Sequence, residues 1–268
     1  MVSILIRNKN EARSLDKTLK SIAIQSFNVP YEIVVVDDNS TDNSVEVANK
    51  YGCKIISLDR EFTYGYAINF GIKHCQYDII LLLSSHNILI SNDFSEKLIK
   101  YFSDPTVAAV RCTPIANIKQ VEQSLDSIFT IDKNNYSHSN DWQNLIIANC
   151  SAIRKKVGLE ILFNEMIRSN EEKLWCLDVL EKGYRIVSNV PCYFLYNKKN
   201  KSSALLRDLT SKYQIDGIKT KSFSSFLLVI LKSIPWAFKI AFNTWYNTVK
   251  VHILTFLIPI KHTKGIYK

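Results

Sequence analysis

An α/β protein, with a mostly parallel sheet flanked by helices and an amphipathic helical extension at the C-terminus, is what the sequence predicts. Apolar runs of strand length alternate with segments of helical period, the pattern of a wound α/β sheet. One of these runs, Asp78 to Leu83, is almost wholly aliphatic. It lacks the alternation of a half-exposed strand and suits a parallel strand covered on both faces. With 268 residues, 47% apolar content and only 7 Gly and 6 Pro, the chain has the material for a packed core, and disordered, collagen-like and low-complexity readings are excluded.

Element by element, Val2 to Ile6 reads as a strand and Glu11 to Gln25 as a helix. Glu32 to Val36 is a strand, Asn43 to Tyr51 a helix, Lys54 to Leu58 a strand and Tyr64 to Cys75 a helix. After Asp78 to Leu83 come a helix from Ser91 to Tyr101 and a strand from Val107 to Arg111. Asn117 to Gln143 is polar and irregular, the composition of a binding loop or lid. Beyond it lie the apolar segment Ile146 to Ile153 and a helix from Glu171 to Glu181, closed by Gly183 as C-cap. Tyr184 to Val187 and Cys192 to Tyr196 are strand-like. Each early strand ends in a polar cluster, and in open α/β sheets ligands bind at the carboxyl ends of strands.

Charge is distributed unevenly. Of a net +9, eight charges come from Lys219, Lys221, Lys232, Lys239, Lys250, Lys261, Lys264 and Lys268, with no acidic residue after Asp216. The body is therefore nearly neutral, which argues against a nucleic-acid partner. From Phe223 to Val249 apolar residues recur at three- and four-residue steps, with Pro235 as a bend and Trp236, Trp245 and Tyr246 beside lysines. The longest uninterrupted apolar run, Phe226 to Leu231, is far below the ~20 residues of a spanning helix. Such a stripe fits an anionic membrane surface first, with packing on the main domain or a homodimer contact as the alternative. Two units are expected: residues 1–217 as the main domain and 218–268 as the basic tail. The six cysteines show no C-x-x-C pair, and the N-terminus lacks a signal-peptide pattern. Reduced, buried thiols in a cytoplasmic protein, held peripherally at the inner face of the plasma membrane, are the expectation.

The chemistry concentrates in a few motifs. Glu32-Ile33-Val34-Val35-Val36-Asp37-Asp38-Asn39-Ser40-Thr41-Asp42 is an aliphatic strand running into two adjacent carboxylates. Read alone, Ser40 or Asp42 merely caps the next helix. Together with Val2-Ser3-Ile4-Leu5-Ile6-Arg7-Asn8-Lys9-Asn10-Glu11 and Phe62-Thr63-Tyr64-Gly65-Tyr66-Ala67-Ile68-Asn69-Phe70-Gly71-Ile72, the segment resembles the family 2 glycosyltransferases. That resemblance implies a GT-A-like, Rossmann-type domain and inverting transfer of a sugar from a nucleotide-diphosphate donor to a glycan or lipid-linked glycan acceptor in cell-surface polysaccharide (capsule or O-antigen) biosynthesis.

Carried over by position, the resemblance puts Arg7, Asn8, Asp37 and Asp38 against the donor's base and ribose. Asn69 either reaches the same pocket or fixes its helix to the sheet. The family's D-x-D metal motif falls on Ser84-Ser85-His86, so the two aspartates are replaced by Ser84 and His86. A subset of the family has Ser-Ala-His at this place, and the change reads as a variant of the donor site. His86 either ligates a divalent cation, Mn²⁺ or Mg²⁺, or bonds the phosphates directly. Asn149-Cys150-Ser151-Ala152-Ile153-Arg154 resembles an acceptor-side segment, with Arg154 alternatively a solvated strand end. Asn170-Glu171-Glu172-Lys173-Leu174-Trp175 resembles the E-D-x-x-W motif that supplies the catalytic base, with Glu172 on the Asp position, Glu171 before it and Trp175 on the acceptor side.

A sugar hydroxyl needs a carboxylate within hydrogen-bond reach to take its proton as the new bond forms. Two adjacent acids leave the choice between Glu171 and Glu172 open, and the helix macrodipole alone also favours Glu at this position. A sugar-nucleotide synthase would carry a Gly-rich phosphate loop, and Ile6-Arg7-Asn8-Lys9-Asn10 has no Gly. The non-enzymatic alternative is a nucleotide-sugar binding or scaffold protein.

Overall fold

The computed structural model describes residues 1–25, 27–115, 128–167 and 170–196. The tail expected over 218–268 lies outside the described residues, as does the first part of the polar stretch from Asn117. The first seven elements fall within a residue or two of their predicted bounds: β1 (Val2–Asn8), α1 (Ala12–Ile24), β2 (Tyr31–Asp37), α2 (Ser44–Lys50), β3 (Lys54–Ser57), α3 (Tyr64–His74) and β4 (Ile79–Ser84). There follow β5 (Asn87–Leu89), α4 (Phe94–Ile99) running into a 3₁₀ turn, β6 (Val107–Ile115), β7 (Phe129–Ile131) and the single turn α5 (His138–Asp141). The described part closes with β8 (Cys150–Arg154), α6 (Lys155–Glu160), α7 (Glu171–Glu181) and β9 (Arg185–Tyr196).

The strands form one sheet in the order β3-β2-β1-β4-β8-β6-β9-β5, with β7 pairing β9 beside this path. Pairing is parallel from β3 to β4 and between β6 and β9, and antiparallel where β8 joins β4 to β6. Alternate residues of each central strand feed two cores. Leu5, Val34, Val36, Ile80 and Leu82 meet α3, α6 and α7 on one face. Ile4, Ile6, Val35, Leu81 and Leu83 meet α1, α2 and α4 on the other. Burial on both faces explains the unalternating sequence of β4, and each such aliphatic side chain contributes about 1.5–3 kcal/mol of burial. At Gly71 of α3 an added Cβ would lie 2.5 Å from a Leu5 methyl, so helix and sheet approach closely at that point.

Three features depart from the predicted elements. The segments Tyr184 to Val187 and Cys192 to Tyr196 are one strand, β9, which bends through Asn189 (φ 56°) with shifted register against β6. The short strands β5 and β7 both pair with β9, far away in sequence. The apolar segment from Ile146 becomes a strand only at Cys150. All six cysteines are buried free thiols, as expected. Among the described residues no helix is long and apolar enough to cross a membrane.

Candidate active site

Parallel pairing brings the carboxyl ends of β1, β2 and β4 to one edge, with Asn8 beside Asp37 and Arg7 beside Ser84. A cleft of about 480 Å³ opens there. Its wall holds Arg7, Asn8, Asp38, Ser84, Ser85 and His86, and Glu171 and Glu172 enter from the first turn of α7. A second hollow of about 520 Å³ adjoins it, sharing Lys9, Asp38 and Phe62.

The two aspartates at the end of β2, Asp37 in the strand and Asp38 just after it, are placed differently. Asp37 is buried and accepts hydrogen bonds from Asn8 Nδ2 (3.0 Å), Ser40 Oγ (2.6 Å) and Ser40 N–H (2.8 Å). Its lone pairs go to the turn, and it is absent from the cleft wall. Asp38 lines both hollows, where Lys9 Nζ reaches its Oδ2 at 2.7 Å.

Arg7 donates from Nη2 to the Ala148 carbonyl (2.8 Å), and its guanidinium lies 5.3 Å from the Tyr64 ring centroid. Its Nη1 stands 3.8 Å from Glu171 Oε1 and makes no hydrogen bond within the protein. His86 Nδ1 lies 3.5 Å from Glu11 Oε2.

Glu171 is almost fully buried, and Glu172 is half-buried on the cleft wall. Burial is the main cause that pushes the Glu171 carboxyl well above the ordinary range; the charge of Glu172 adds to it and Arg7 opposes it. Glu172 is raised as well, by burial first, against the opposing charge of Lys173 and the Ala148 N–H. The pair titrates as one coupled unit, retaining protons at pH values where exposed glutamates are ionised. Raised carboxyls in a cleft are the electrostatic setting of a general base.

Four predicted positions lie elsewhere. Asn69 is buried and ties α3 to the Phe163–Glu165 segment: Nδ2 donates to Phe163 O and Glu165 Oε1, and Oδ1 accepts from Phe163 N–H, each at 2.9 Å. Of its two readings the structure gives the fixing one, although the partner is this segment and not the sheet. Trp175 is a core residue, stacked on Phe163 with Nε1 donating to Ile161 O. Arg154 sits at the opposite end of the sheet, paired in register with Ile79. It donates to the carbonyls of Phe102, Asp104 and Val107, so neither it nor Trp175 faces the cleft. With Asp37, these are the positions that the structure does not bring to the site.

Conversely, the cleft gathers Lys9, Glu11, Tyr64, Arg111 and Lys173, which the sequence reading passed over as site residues. Arg111 had a signal, a cation inside the apolar run of β6; Lys173 had none, since Glu-Glu-Lys at a helix start reads as a solvated face. Lys173 is buried with Nζ donating to Leu145 O at 2.8 Å, and burial lowers its pKa to about 8.

Residues 3–161 match the family described as Glycosyl transferase family 2. The chain belongs to this family. Chondroitin synthase of Pasteurella multocida is 37% identical over 87 residues, which is 31% of this chain and 9% of that protein. The O-antigen chain rhamnosyltransferase RfbN of Salmonella typhimurium is 30% identical over 112 residues, 41% of this chain and 35% of its own. The chain thus spans about a third or less of the length of these two relatives. Among solved structures, the mannosyltransferase PcManGT of Pyrobaculum calidifontis, in complex with GDP-Man and Mn²⁺, superposes with a TM-score of 0.65 at 16% identity, covering 85% of this chain and 68% of that one. At that identity the likeness shows the fold, which is GT-A-like in this chain as in its neighbour.

The family's divalent cation has a thin donor set here. Among the described residues no three His, Cys, Asp or Glu side chains gather into a metal site. Glu11 and His86 stand together on the cleft wall, and one or two protein ligands suffice for a cation whose other ligands are the donor's phosphates and water. These two residues fit a cation whose remaining ligands come from a bound diphosphate and water.

Proposed function

We propose that this glycosyltransferase moves a sugar, with inversion, from a nucleotide diphosphate to a hydroxyl of a glycan or lipid-linked glycan in cell-surface polysaccharide assembly. The acidic pair Glu171–Glu172, facing Asp38 and Ser84–His86 across one cleft, carries the reading. The polysaccharide context follows relatives named for chondroitin and O-antigen chains, and the donor class follows a neighbour that holds GDP-Man.

In this mechanism Asp38 accepts hydrogen bonds from the donor's base or ribose, with Lys9 orienting the carboxylate. Arg7, Lys9 and His86 face the diphosphate. Glu11 and His86 would hold a cation if one arrives with the donor, and it would neutralise charge on the departing phosphates. Glu172, more open than Glu171, takes the acceptor hydroxyl's proton as its oxygen attacks the anomeric carbon. The bond from that carbon to the phosphate oxygen breaks, and the nucleoside diphosphate leaves with the electron pair. A single displacement inverts the centre, so an α-linked donor gives a β-linked product. Glu171, held by Arg7, keeps the second charge away from the reacting oxygen.

The basic tail over 218–268 is assigned in the same proposal to an anionic membrane surface, where a lipid-linked acceptor would be presented. Homodimer contact is its competing use, and sedimentation with anionic against neutral vesicles separates the two.

Donor hydrolysis and transfer over a panel of UDP-, GDP-, dTDP- and CDP-sugars, each with Mn²⁺, Mg²⁺ or EDTA, tests the reading. Turnover of one donor supports it. Saturable donor binding with no turnover by any acceptor would make the chain a nucleotide-sugar binding protein, the alternative motivated by the missing D-x-D.

A further inference from the structure

The cleft also holds two cations, the buried Lys173 and the half-buried Arg111, to which the proposed chemistry assigns no ligand. Arg111, on β6, donates from Nη1 to Asn189 Oδ1, while its Nε makes no hydrogen bond within the protein. No carboxylate among the described residues pairs with it. Burial chiefly lowers the Lys173 pKa and the Arg111 charge adds to it, and among the described residues Nζ donates to Leu145 O. Both residues line the same cleft as Glu172. Two like charges on one cleft wall, one of them buried, cost free energy that an anion in the cleft would recover.

The position of this pair separates it from the donor. In the sheet, β8 lies between β4 and β6, so the strand carrying Arg111 is about 10 Å from the one that ends at Ser84 and about 19 Å from β2, which ends at Asp37 beside Asp38. Arg7, on β1 between β2 and β6, stands beside Glu171, and Lys9 stands beside Asp38. Arg111 therefore comes from the part of the sheet away from Asp38, where the nucleotide is proposed to bind. When Glu172 has taken the acceptor's proton, its charge no longer compensates Lys173, and the demand for an anion at this end increases. A guanidinium whose Nε lacks a partner, on the same cleft as an ammonium, matches a carboxylate or a phosphate in charge and donor chemistry.

We propose that the acceptor carries an anionic group, a carboxylate or a phosphate, that docks on Arg111 and Lys173 beside Glu172. This rests on the transferase reading above and names the chemical class of its acceptor. The donor's own diphosphate is the other possible source of such a group, and the test separates the two.

Inorganic phosphate is titrated calorimetrically into the full chain at constant ionic strength, with and without a saturating nucleoside diphosphate. Saturable binding that survives the nucleotide is expected, weakened about 10- to 100-fold in Arg111→Met, the range for losing a hydrogen bond to a charged group. Arg111→Lys recovers part of it, and Lys173→Met weakens it independently, which covers the case in which Arg111→Met fails to fold. In parallel, matched oligosaccharides ending in a uronic acid, a phosphorylated sugar or a neutral sugar are compared as acceptors. An acidic acceptor is expected to exceed the neutral one by a similar factor in kcat/KM, and Arg111→Met to bring that ratio close to one. Displacement of phosphate by the nucleotide would assign the cations to the donor and overturn the proposal. Equal binding by Arg111→Met, or equal use of neutral and acidic acceptors, would overturn it too while donor turnover keeps the transferase reading intact. Failure of wild type to bind or hydrolyse any donor would remove that reading, and this proposal with it.

Discussion

Arg7 supplies the sharpest test of how the acidic pair is tuned. Its Nη1 is 3.8 Å from Glu171 Oε1, with side-chain exposures of 11% and 4%, so solvent screens the interaction little. At an effective dielectric constant of about 20 this separation corresponds to about 4 kcal/mol, and in bulk water to about 1 kcal/mol. Dividing by 1.36 kcal/mol per unit, Arg7→Met should raise the apparent pKa of the Glu171–Glu172 pair by about one to three units. The base must be ionised to work, so activity falls as pH drops through that value. In the variant the acid limb of the kcat/KM profile therefore moves to higher pH, and the neutral-pH rate falls with it. Arg7→Lys keeps a positive charge and should shift the limb less. The assay is transfer at saturating donor over pH 5 to 9. A lower rate with an unmoved acid limb would refute the electrostatic role and leave Arg7 as a donor-binding residue alone.

Other consequences follow from the same geometry. Arg154→Met removes bonds to three carbonyls and should lower stability by about 2–4 kcal/mol, while donor hydrolysis per folded molecule stays at the wild-type value; lost hydrolysis in a folded variant would return Arg154 to the site. Gly65→Ala places a Cβ 2.2 Å from the Asn164 carbonyl oxygen and should cost at least about 1–3 kcal/mol, seen as a lowered Tm; an unchanged Tm would show that the Asn164 segment yields freely. Lys173 has its pKa lowered from 10.5 to about 8, so between those values the unfolded chain holds more protons than the folded one and stability rises with pH. Relative to Lys173→Met, wild type should gain stability from about pH 8 upwards, and parallel denaturation curves across that window would contradict the burial of its charge.

The sequence revealed the parallel half of the sheet because continuous aliphatic runs are the mark of strands covered on both faces, and β1, β2 and β4 are such strands. It missed β5 and β7 because each is three residues long and owes its existence to β9, a partner about sixty or more residues further on. Asn189 and Pro191 interrupt β9 in a way that reads as a gap, whereas the left-handed Asn189 lets a single strand bend. Within the site, the strand-end residues Arg7, Asn8 and Asp38 were legible because topology alone sends them to the cleft. Trp175 and Arg154 were misplaced because a motif position says nothing of which way a side chain points. On α7, Trp175 falls one turn beyond Glu171 and faces the core at Phe163, and Arg154 lies at the far end of its strand. Asp37 and Asp38 are adjacent in sequence, and only the turn at Ser40 decides that one carboxylate turns inward.

The central claim is that Glu172 takes the acceptor's proton in this family 2 glycosyltransferase. Its most direct test compares sugar transfer by Glu172→Gln with wild type, in parallel with binding of the donor nucleotide. A loss of transfer of about 100- to 10,000-fold, with donor affinity retained, is the predicted result. Transfer by Glu172→Gln at a rate close to wild type would contradict it.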